Sequence, residues 1–331
     1  MSFDLTAPMF TNEAAAVAHM EADRWPHGAI CPLCNSDNVH KMGGATQAGM
    51  FVCYGCDGKF TVRTGTVFER SHIPLHKWLL ATYLMGASKK GISAHQLHRM
   101  LGITYKSAWF MAHRIREAMA PAKCAAPIGG KGKIVEADET FIQKKSGKRK
   151  ARGAGGYAHK IAIFSLTERG GQTRSQMIDG ANTIEIRRAI RKNVDEASTL
   201  HTDGAQFYKH TGTVARHESV DHSKGEYVRY ENVFGFPDGK QHVVHTNTLE
   251  GYFSVFKRGL VGTYQHIGEQ HVDRYLAEFD FRQNNRAKLG VTDDIRAARI
   301  LKGVEGKRLT YRPANKTADP APDGDGIHSL A

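Results

Sequence analysis

Four of the five cysteines form two close pairs whose spacing suits a metal ion. Cys31 and Cys34 make one Cys-x-x-Cys pair, and eighteen residues separate it from the second pair, Cys53 and Cys56. Each pair can turn two thiolates towards one ion, so this spacing predicts a tetrahedral Zn²⁺ site. Because all four donors are thiolates, the site would be closed and structural. Two disulfides are the alternative, which a reducing compartment disfavours. The fifth cysteine, Cys124, is expected to be an inert thiol.

Three acidic residues stand where carboxylates could hold catalytic metal ions. Asp138 lies in an apolar, strand-like run, Asp203 ends a second such run, and Glu250 lies on a helical segment further along. Strand ends in an α/β sheet meet in one crevice, so we expect the three side chains to converge there. Carboxylates in close contact repel one another, and two Mg²⁺ or Mn²⁺ ions would relieve that repulsion. The trio predicts a two-metal site for cleaving and joining phosphodiesters.

Two neighbours of these acids are interpreted differently. Glu139 follows Asp138 on a strand and should point to the opposite face, so it is not expected to be a ligand. Lys257 lies seven residues after Glu250 in the helical pattern of residues 246–262, which places both on one helix face. A lysine there could hold a DNA phosphate near the reacting bond. A solvated helix face with an incidental charge is the alternative.

The overall charge indicates a polyanionic partner. The chain of 331 residues has 46 Lys and Arg against 33 Asp and Glu, a formal charge of +13. Nucleic acid is the commonest polyanion, although a basic enzyme without such a partner remains an alternative. The 40% apolar content excludes wholesale disorder and collagen. No long apolar run or secretory signal is evident, so we expect no membrane contact and a cytoplasmic, nucleoid-associated location.

The N-terminal part must position the cysteines and contact DNA. A helical segment over 1–28 precedes strand-like runs around the cysteines, which predict a zinc ribbon over 29–70. Helical spacing follows, with two helices over 93–101 and 105–119 joined by a Gly-containing turn. This pattern is typical of a helix-turn-helix, assigned to 71–120, although plain three-helix packing is the alternative. The second helix is expected to present four residues to DNA: Lys106, Ser107, His113 and Arg114.

The C-terminal part must position the acids. After a linker over 121–132, the fold class is predicted to be α/β, with a mixed sheet of ribonuclease H-like order over 133–290 and an insertion at 221–245. The strands are expected at 133–142, 157–166, 175–178, 198–202 and 214–220, with helices from 182, at 246–262 and at 271–284. The remaining segment, 291–331, should end in a disordered tail.

Basic residues outside the helix-turn-helix are further candidates for binding DNA phosphates. Most lie in a polar loop after the first strand, and two lie on the helix of Glu250. They are Lys144, Lys145, Lys148, Arg149, Lys150, Arg152, Lys257 and Arg258. Contacts of this kind displace counterions, so binding should weaken steeply as salt rises.

The chain resembles the bacterial insertion-sequence transposases that carry an N-terminal zinc ribbon ahead of a DDE catalytic domain. The resemblance covers roughly residues 24–286. It is carried by residues 24–34 (RWPHGAICPLC), 135–140 (VEADET), 201–204 (HTDG), 247–251 (NTLEG) with 257–259 (KRG), and 274–286. It implies that Asp138, Asp203 and Glu250 are the DDE triad and that Lys257 is an accessory lysine. Some relatives have Asn at the position of Glu250, whereas this chain keeps the acid, which favours an active enzyme.

The resemblance also implies an activity and its partners. Such a protein binds the terminal inverted repeats of its own element as double-stranded DNA, frees a 3′-hydroxyl by hydrolysis, and joins that hydroxyl to target DNA. A homodimer or higher multimer on DNA is implied as well. Two alternatives remain open: a DNA-binding regulator derived from an inactive transposase, and a metal-dependent nuclease that does not join strands.

Overall fold

The N-terminal region begins with two helices and a small sheet. The computed structural model describes residues 4–44, 48–121, 125–143, 160–209, 214–231 and 242–310. Cys124, the basic loop at 144–152 and the expected disordered tail lie outside these residues. The first elements are α1 (Pro8–Thr11), α2 (Glu13–Arg24), β1 (Val39–Lys41), β2 (Met50–Cys53) and β3 (Lys59–Thr61).

The three short strands form the expected ribbon. They pair antiparallel in the order β1-β2-β3. Phe51 on β2 and Phe60 on β3 stack with ring centroids 5.3 Å apart, and Trp25 packs edge-on against both rings. This aromatic cluster, together with buried Cys31 and Cys53, is the core of the ribbon.

Three helices follow, and their ends obey the capping pattern in the sequence. They are α3 (Leu75–Ala87), α4 (Ala94–Leu101) and α5 (Tyr105–Met119). Ser93 caps α4 by accepting from Gln96 N, and Thr104 caps α5 by accepting from Ser107 N. Gly102 ends α4 in the left-handed region at φ 57°, which favours glycine. The predicted pair of helices with its Gly-containing turn is therefore present.

The central sheet has the strand order expected of a ribonuclease H-like fold. Its elements are β4 (Ile134–Gln143), β5 (Lys160–Glu168), β6 (Thr173–Ile178), α6 (Thr183–Asn193), β7 (Thr199–Asp203) and β8 (Arg216–Val220). The spatial order is β6-β5-β4-β7-β8. The first three strands pair antiparallel, whereas β7 is parallel to both β4 and β8. The mixed α/β fold class is confirmed.

The remaining elements include a helix that the sequence pattern did not predict. Within the expected insertion, β9 (Arg229–Glu231) and β10 (His242–Val244) pair antiparallel. They are followed by α7 (Asn247–Gly259), a π-helical turn (Leu260–Tyr264), α8 (Val272–Asn284) and α9 (Asp293–Lys302). The helix α9 was not foreseen, and its Ala297, Ile300 and Leu301 join the core formed by α3, α4 and α5.

Helices cover both faces of the central sheet. On one face, Ile186 and Ile190 of α6 pack with Val135 and Ala137 of β4. On the other face, apolar residues of α7 and α8 pack against β5. Ile184, in the first turn of α6, is 71% exposed, whereas Ile186 and Ile190 of the same helix are buried. This two-sided packing fixes the position of α7 relative to β4 and β7.

Candidate active site

Asp138 and Asp203 lie on neighbouring parallel strands at the centre of the sheet. Asp138 is in β4 and Asp203 is the last residue of β7. Backbone amides help to orient both carboxylates: Glu139 N donates to Asp138 Oδ1 at 2.8 Å, and Ala205 N donates to Asp203 Oδ1 at 3.0 Å. The sheet therefore brings together two of the three predicted acids.

The third member of the carboxylate cluster is Glu139. Ligand oxygens of Asp138, Glu139 and Asp203 all lie within 4.8 Å of one another, and all three side chains are partly exposed. The expectation that strand alternation would keep Glu139 away is wrong. Its long side chain reaches the other two carboxylates, and the hydroxyl of buried Tyr208 donates to Glu139 Oε2 at 2.7 Å.

The crowded carboxylates hold protons more tightly than isolated ones. Burial, followed by the charges of Glu139 and Asp203, raises the pKa of Asp138 to about 8. Burial also raises the pKa of Glu139 to about 7, although the hydrogen bond from Tyr208 opposes this shift. A cluster that disfavours its own negative charge can be neutralised by a divalent cation, which prefers such hard oxygen ligands. The donor set therefore fits a divalent metal site.

Glu250 lies on α7, near this cluster but outside it. Its side chain is 43% exposed, and His222 Nε2 lies 3.7 Å from its Oε1. Thr246 Oγ1 donates to the same oxygen at 3.4 Å. The charge of Glu250 contributes, as the smallest of the causes, to the raised pKa of Asp138. Lys257 and Arg258 are exposed on the same helix, and Arg258 Nε donates to Ser254 O at 3.1 Å.

A buried glutamate fastens α7 to the strand that carries Asp138. Glu136 is completely buried in β4, two residues before Asp138 and on the same face. Its carboxylate accepts from Thr248 N at 3.0 Å, Thr248 Oγ1 at 2.9 Å and Leu249 N at 3.3 Å, so it occupies the positive end of α7. Glu136 thereby sets where the helix of Glu250 begins.

Arg169 balances the charge of Glu136 and also binds the backbone of the segment that precedes α7. Its Nε donates to Glu136 Oε1 at 2.8 Å, and its guanidinium also donates to the backbone oxygens of Val243 and His245. Neither residue was predicted from the sequence. The available signal was a carboxylate inside an apolar strand, because a buried charge requires a partner.

The four paired cysteines form a second cluster of possible metal ligands. Their sulfurs lie within 4.8 Å of one another, with Cys31 Sγ 3.8 Å from Cys56 Sγ and Cys34 Sγ 3.5 Å from Cys53 Sγ. All four are free thiols. Zn–S bonds of about 2.3 Å place the sulfurs of a tetrahedral site roughly 3.8 Å apart. The residues therefore fit a structural metal ion.

The predicted helix-turn-helix, formed by α4 and α5, exposes only part of its predicted contact set. Lys106 is exposed and Ser107 partly exposed at the start of α5. The expectation that His113 and Arg114 face outward is wrong, since they are 1% and 9% exposed. His113 packs against Trp109 and Tyr275, and Arg114 Nη1 donates to Val67 O at 2.9 Å. Their polar character suggested DNA contact, but both serve the packing of α5.

None of the helices among the described residues combines the length and apolar character needed to cross a bilayer.

The six basic residues predicted in the loop at 144–152 lie outside the described part of the chain, so their role stays a prediction.

Comparisons with known proteins agree with this arrangement. Residues 129–284 match the family of ISXO2-like transposase domains, and residues 11–58 match the transposase zinc-ribbon domain. The chain is also 28% identical, over 296 residues, to a protein of Halobacterium salinarum described as an uncharacterized protein in transposable element ISH50. That alignment covers 85% of this chain and 94% of the relative. The two family matches together span more than half of the sequence. The chain belongs to the insertion-sequence transposases that carry a zinc ribbon ahead of a DDE domain.

Proposed function

We propose that this protein binds the terminal inverted repeats of its insertion sequence and catalyses strand cleavage and strand transfer. The observation that carries the proposal is the approach of the Asp138, Glu139 and Asp203 carboxylates to within 4.8 Å of one another, where β4 and β7 are neighbours in the central sheet. A carboxylate cluster that collects negative charge in a basic protein suits metal-assisted chemistry on DNA.

We assign Asp138, Asp203 and Glu250 as the residues that hold two Mg²⁺ or Mn²⁺ ions. The ions would activate an attacking water or 3′-hydroxyl and stabilise the leaving oxygen. Glu136 fixes the start of α7, so it controls how Glu250 approaches the other acids. Glu139 lies close enough to supply a further oxygen ligand, with Tyr208 orienting its carboxylate. The four cysteines would hold one Zn²⁺ that stabilises the ribbon.

DNA contacts are assigned to exposed cations and to the start of α5. Lys106 and Ser107 stand at the N-terminal end of that helix, which is the part that reaches base edges in helix-turn-helix proteins. Lys257 and Arg258 lie on α7, in the last turn of the helix that begins beside Glu136. The basic loop at 144–152 would add phosphate contacts. We further propose that two or more copies assemble on paired element ends.

The first experiment separates catalysis from DNA binding. Purified protein with Mg²⁺ should nick a duplex that carries an element end, and Asp203→Asn should abolish nicking while leaving end binding within about twofold. Asp179→Asn, an exposed acid away from the cluster, is the matched control and should nick normally. Equal nicking by wild type and Asp203→Asn would reject the assignment. End binding with no nicking by the wild type would favour a DNA-binding regulator.

A second experiment separates a transposase from a nuclease. A pre-cut end with a free 3′-hydroxyl should be joined to a target duplex by the wild type and not by Asp138→Asn. Nicking without any joined product would favour a nuclease that does not transfer strands.

A further inference from the structure

A cationic cavity lies on the side of α7 that faces away from the carboxylate cluster. It has a volume of about 390 Å³ and forms where the ends of α3 and α8 meet α7 and α9. Thirteen residues line it; five are Lys or Arg and none is Asp or Glu. The five are Lys89, Arg282, Arg286, Lys288 and Arg296. The size is within the range of small-ligand pockets, roughly 300–1,000 Å³.

One of the five cations is held mainly by bonds within the fold. Arg296 pairs with Asp293 and donates to the backbone oxygens of Gly86, Asn285 and Val291. These bonds satisfy carbonyls at the helix ends, which is an ordinary structural role for arginine. Arg296 therefore lines the cavity with four of its five N–H donors already engaged by the fold.

Arg282 and Arg286 keep donors that the fold does not use. Arg282 is 8% exposed; its Nη2 donates to Met85 O and to Glu278, whereas Nε and Nη1 meet no acceptor among the described residues. Arg286 donates from Nη1 to Gln283 O at 2.8 Å, and within the described part of the chain the other N–H groups of its guanidinium have no acceptor. A buried N–H without an acceptor is costly, so an anion here would be stabilised.

The charge around Arg282 is not cancelled by its neighbours. Glu278 is the acid nearest to Arg282, and it is shared with Arg116, whose Nε donates to Glu278 Oε2 at 2.7 Å. Two guanidinium groups and one carboxylate leave the buried trio positive. At the rim, Lys89 and Lys288 are exposed, and in the described ranges neither forms an ion pair or hydrogen bond.

The cavity is separate from the candidate active site. Tyr252 and Val255 of α7 line it, and at roughly 100° per residue they lie about 200° and 140° around the helix from Glu250. Phe279 adds an aromatic wall. The combination of spare guanidinium donors with an apolar wall suits a phosphate attached to a sugar and base better than a small inorganic anion alone.

We propose that this cavity binds a backbone phosphate of a DNA strand at a point remote from the reacting bond. The choice of DNA as the source of the phosphate rests on the proposed function. It is favoured by the exposed rim lysines, which continue the positive charge onto the surface where a strand could enter and leave. A free nucleotide has the same phosphate chemistry, but its binding would not require positive charge on the surface beyond the cavity.

The test compares two variants that each remove two positive charges. The cavity variant combines Arg286→Ala with Lys288→Ala, and the control combines Lys131→Ala with Lys302→Ala, both exposed and away from the cavity. Affinity for an element-end duplex should fall about tenfold or more in the cavity variant at about 0.1 M salt. The slope of log affinity against log salt should flatten by about 0.9 for each phosphate that the variant no longer neutralises. The control should change less than about threefold.

A DNA-free measurement distinguishes the sources of phosphate. At constant ionic strength, deoxyadenosine monophosphate should raise the melting temperature of the wild type more than that of the cavity variant. If the cavity variant loses this stabilisation but binds DNA as tightly as the wild type, the cavity binds a free nucleotide and the assignment to DNA is overturned. Equal losses of DNA affinity in both variants would also overturn it. A wild type that fails to bind end DNA contradicts the proposed function, whereas the nucleotide measurement still decides whether the cavity binds phosphate.

Discussion

At the candidate site, the fold raises the pKa of Asp138 more than that of its neighbour Glu139. The pKa of Asp138 is raised to about 8 because the side chain is largely withdrawn from water and lies beside Glu139 and Asp203. A raised carboxyl pKa means that the folded protein binds more protons than the unfolded chain between about pH 4 and pH 8. The metal-free protein should therefore lose stability from this group as the pH rises through that interval.

We predict that Asp138→Asn stabilises the metal-free protein at pH 8 and flattens the pH dependence of its unfolding. The gain should be about 1–3 kcal/mol, below the ~5 kcal/mol that four pKa units would give, because Glu139 and Asp203 share the proton. Denaturant unfolding from pH 5 to pH 8 in Mg²⁺-free buffer measures it. Mg²⁺ should stabilise the wild type more than the variant. A variant that is less stable at pH 8 would contradict this account.

We predict that the ribbon cysteines bind one Zn²⁺ per chain and that Cys53→Ala abolishes this binding. Cys53 is completely buried and its Sγ lies 3.5 Å from Cys34 Sγ, so Cys53→Ala removes one of four clustered thiolate donors. Structural Zn²⁺ contributes about 10–16 kcal/mol of binding free energy in zinc-finger peptides, and its loss should unfold the ribbon. Elemental analysis gives the zinc content. Cys124→Ala is the matched control and should keep its zinc.

The types of the reactive residues could be predicted, but their exact partners could not. The cysteine spacing identified one cluster, and Asp138 within β4 together with Asp203 at the end of β7 identified the other. Alternation along β4 misplaced Glu139, because a strand pattern gives the face of a residue but not the reach of its side chain. Polarity misplaced His113 and Arg114, because burial in a helical core depends on which other helices cover α5.

At the scale of elements, side chains of α8 accept hydrogen bonds from backbone N–H groups at the edge of the central sheet. The edge strand β6 presents backbone N–H groups to α8, which satisfies them with Asn284, Asp280 and Asp273. Thr173 N donates to Asn284 Oδ1 at 2.6 Å, Ser175 N to Asp280 Oδ2 at 2.7 Å and Met177 N to Asp273 Oδ1 at 3.1 Å. These three acceptors follow one face of α8, so the helix covers an edge that could otherwise pair with another chain.

We predict that Glu136→Gln loosens the start of α7 and raises the Mg²⁺ concentration needed for nicking. The neutral amide leaves Arg169 without its buried counter-charge, which should cost about 3–5 kcal/mol of unfolding free energy. Glu136 acts by positioning Glu250, so half-maximal Mg²⁺ should shift upward even at temperatures where the variant is fully folded. Glu185→Gln removes an exposed pair with Arg188 and should change neither quantity measurably. An unshifted Mg²⁺ requirement in folded Glu136→Gln would show a purely structural role.

The order of most elements could be predicted, whereas their mutual packing could not. Periodicity gave the ribbon strands, α4, α5, α7 and α8, since each has a regular apolar face. The sequence pattern does not predict helix α9, because its apolar residues are few. This helix packs against α3. The Glu136 contact joins residues more than a hundred positions apart, which no local pattern reveals.

At the scale of the whole molecule, α5 is bonded to α8, which belongs to the part of the chain that matches the transposase domain. Arg116 of α5 is 2% exposed and Glu278 of α8 is completely buried, with 2.7 Å between Arg116 Nε and Glu278 Oε2. Arg282 pairs with the same carboxylate, and Tyr264 donates to it at 2.7 Å. DNA bound at the start of α5 would therefore be held in a defined orientation relative to the acids. Neither periodicity nor composition indicated this connection, since arginine and glutamate most often lie on the surface.

We predict that Glu278→Gln destabilises the protein by about 3–5 kcal/mol, because it leaves two buried guanidinium groups without a counter-charge. Glu117→Gln is the matched control: its partner Arg274 also joins α5 to α8, but both side chains are about one-third exposed, and the cost should stay below about 1 kcal/mol.

Burial would raise the pKa of Glu278, yet Arg116 and Arg282 hold it at about 2. Its contribution is therefore complete above about pH 4.5 and is lost as the pH falls towards 2. Urea unfolding at pH 3 and pH 7 measures both effects, and the wild type and Glu278→Gln should differ less at pH 3. An equal difference at both pH values would contradict the assignment of this charge.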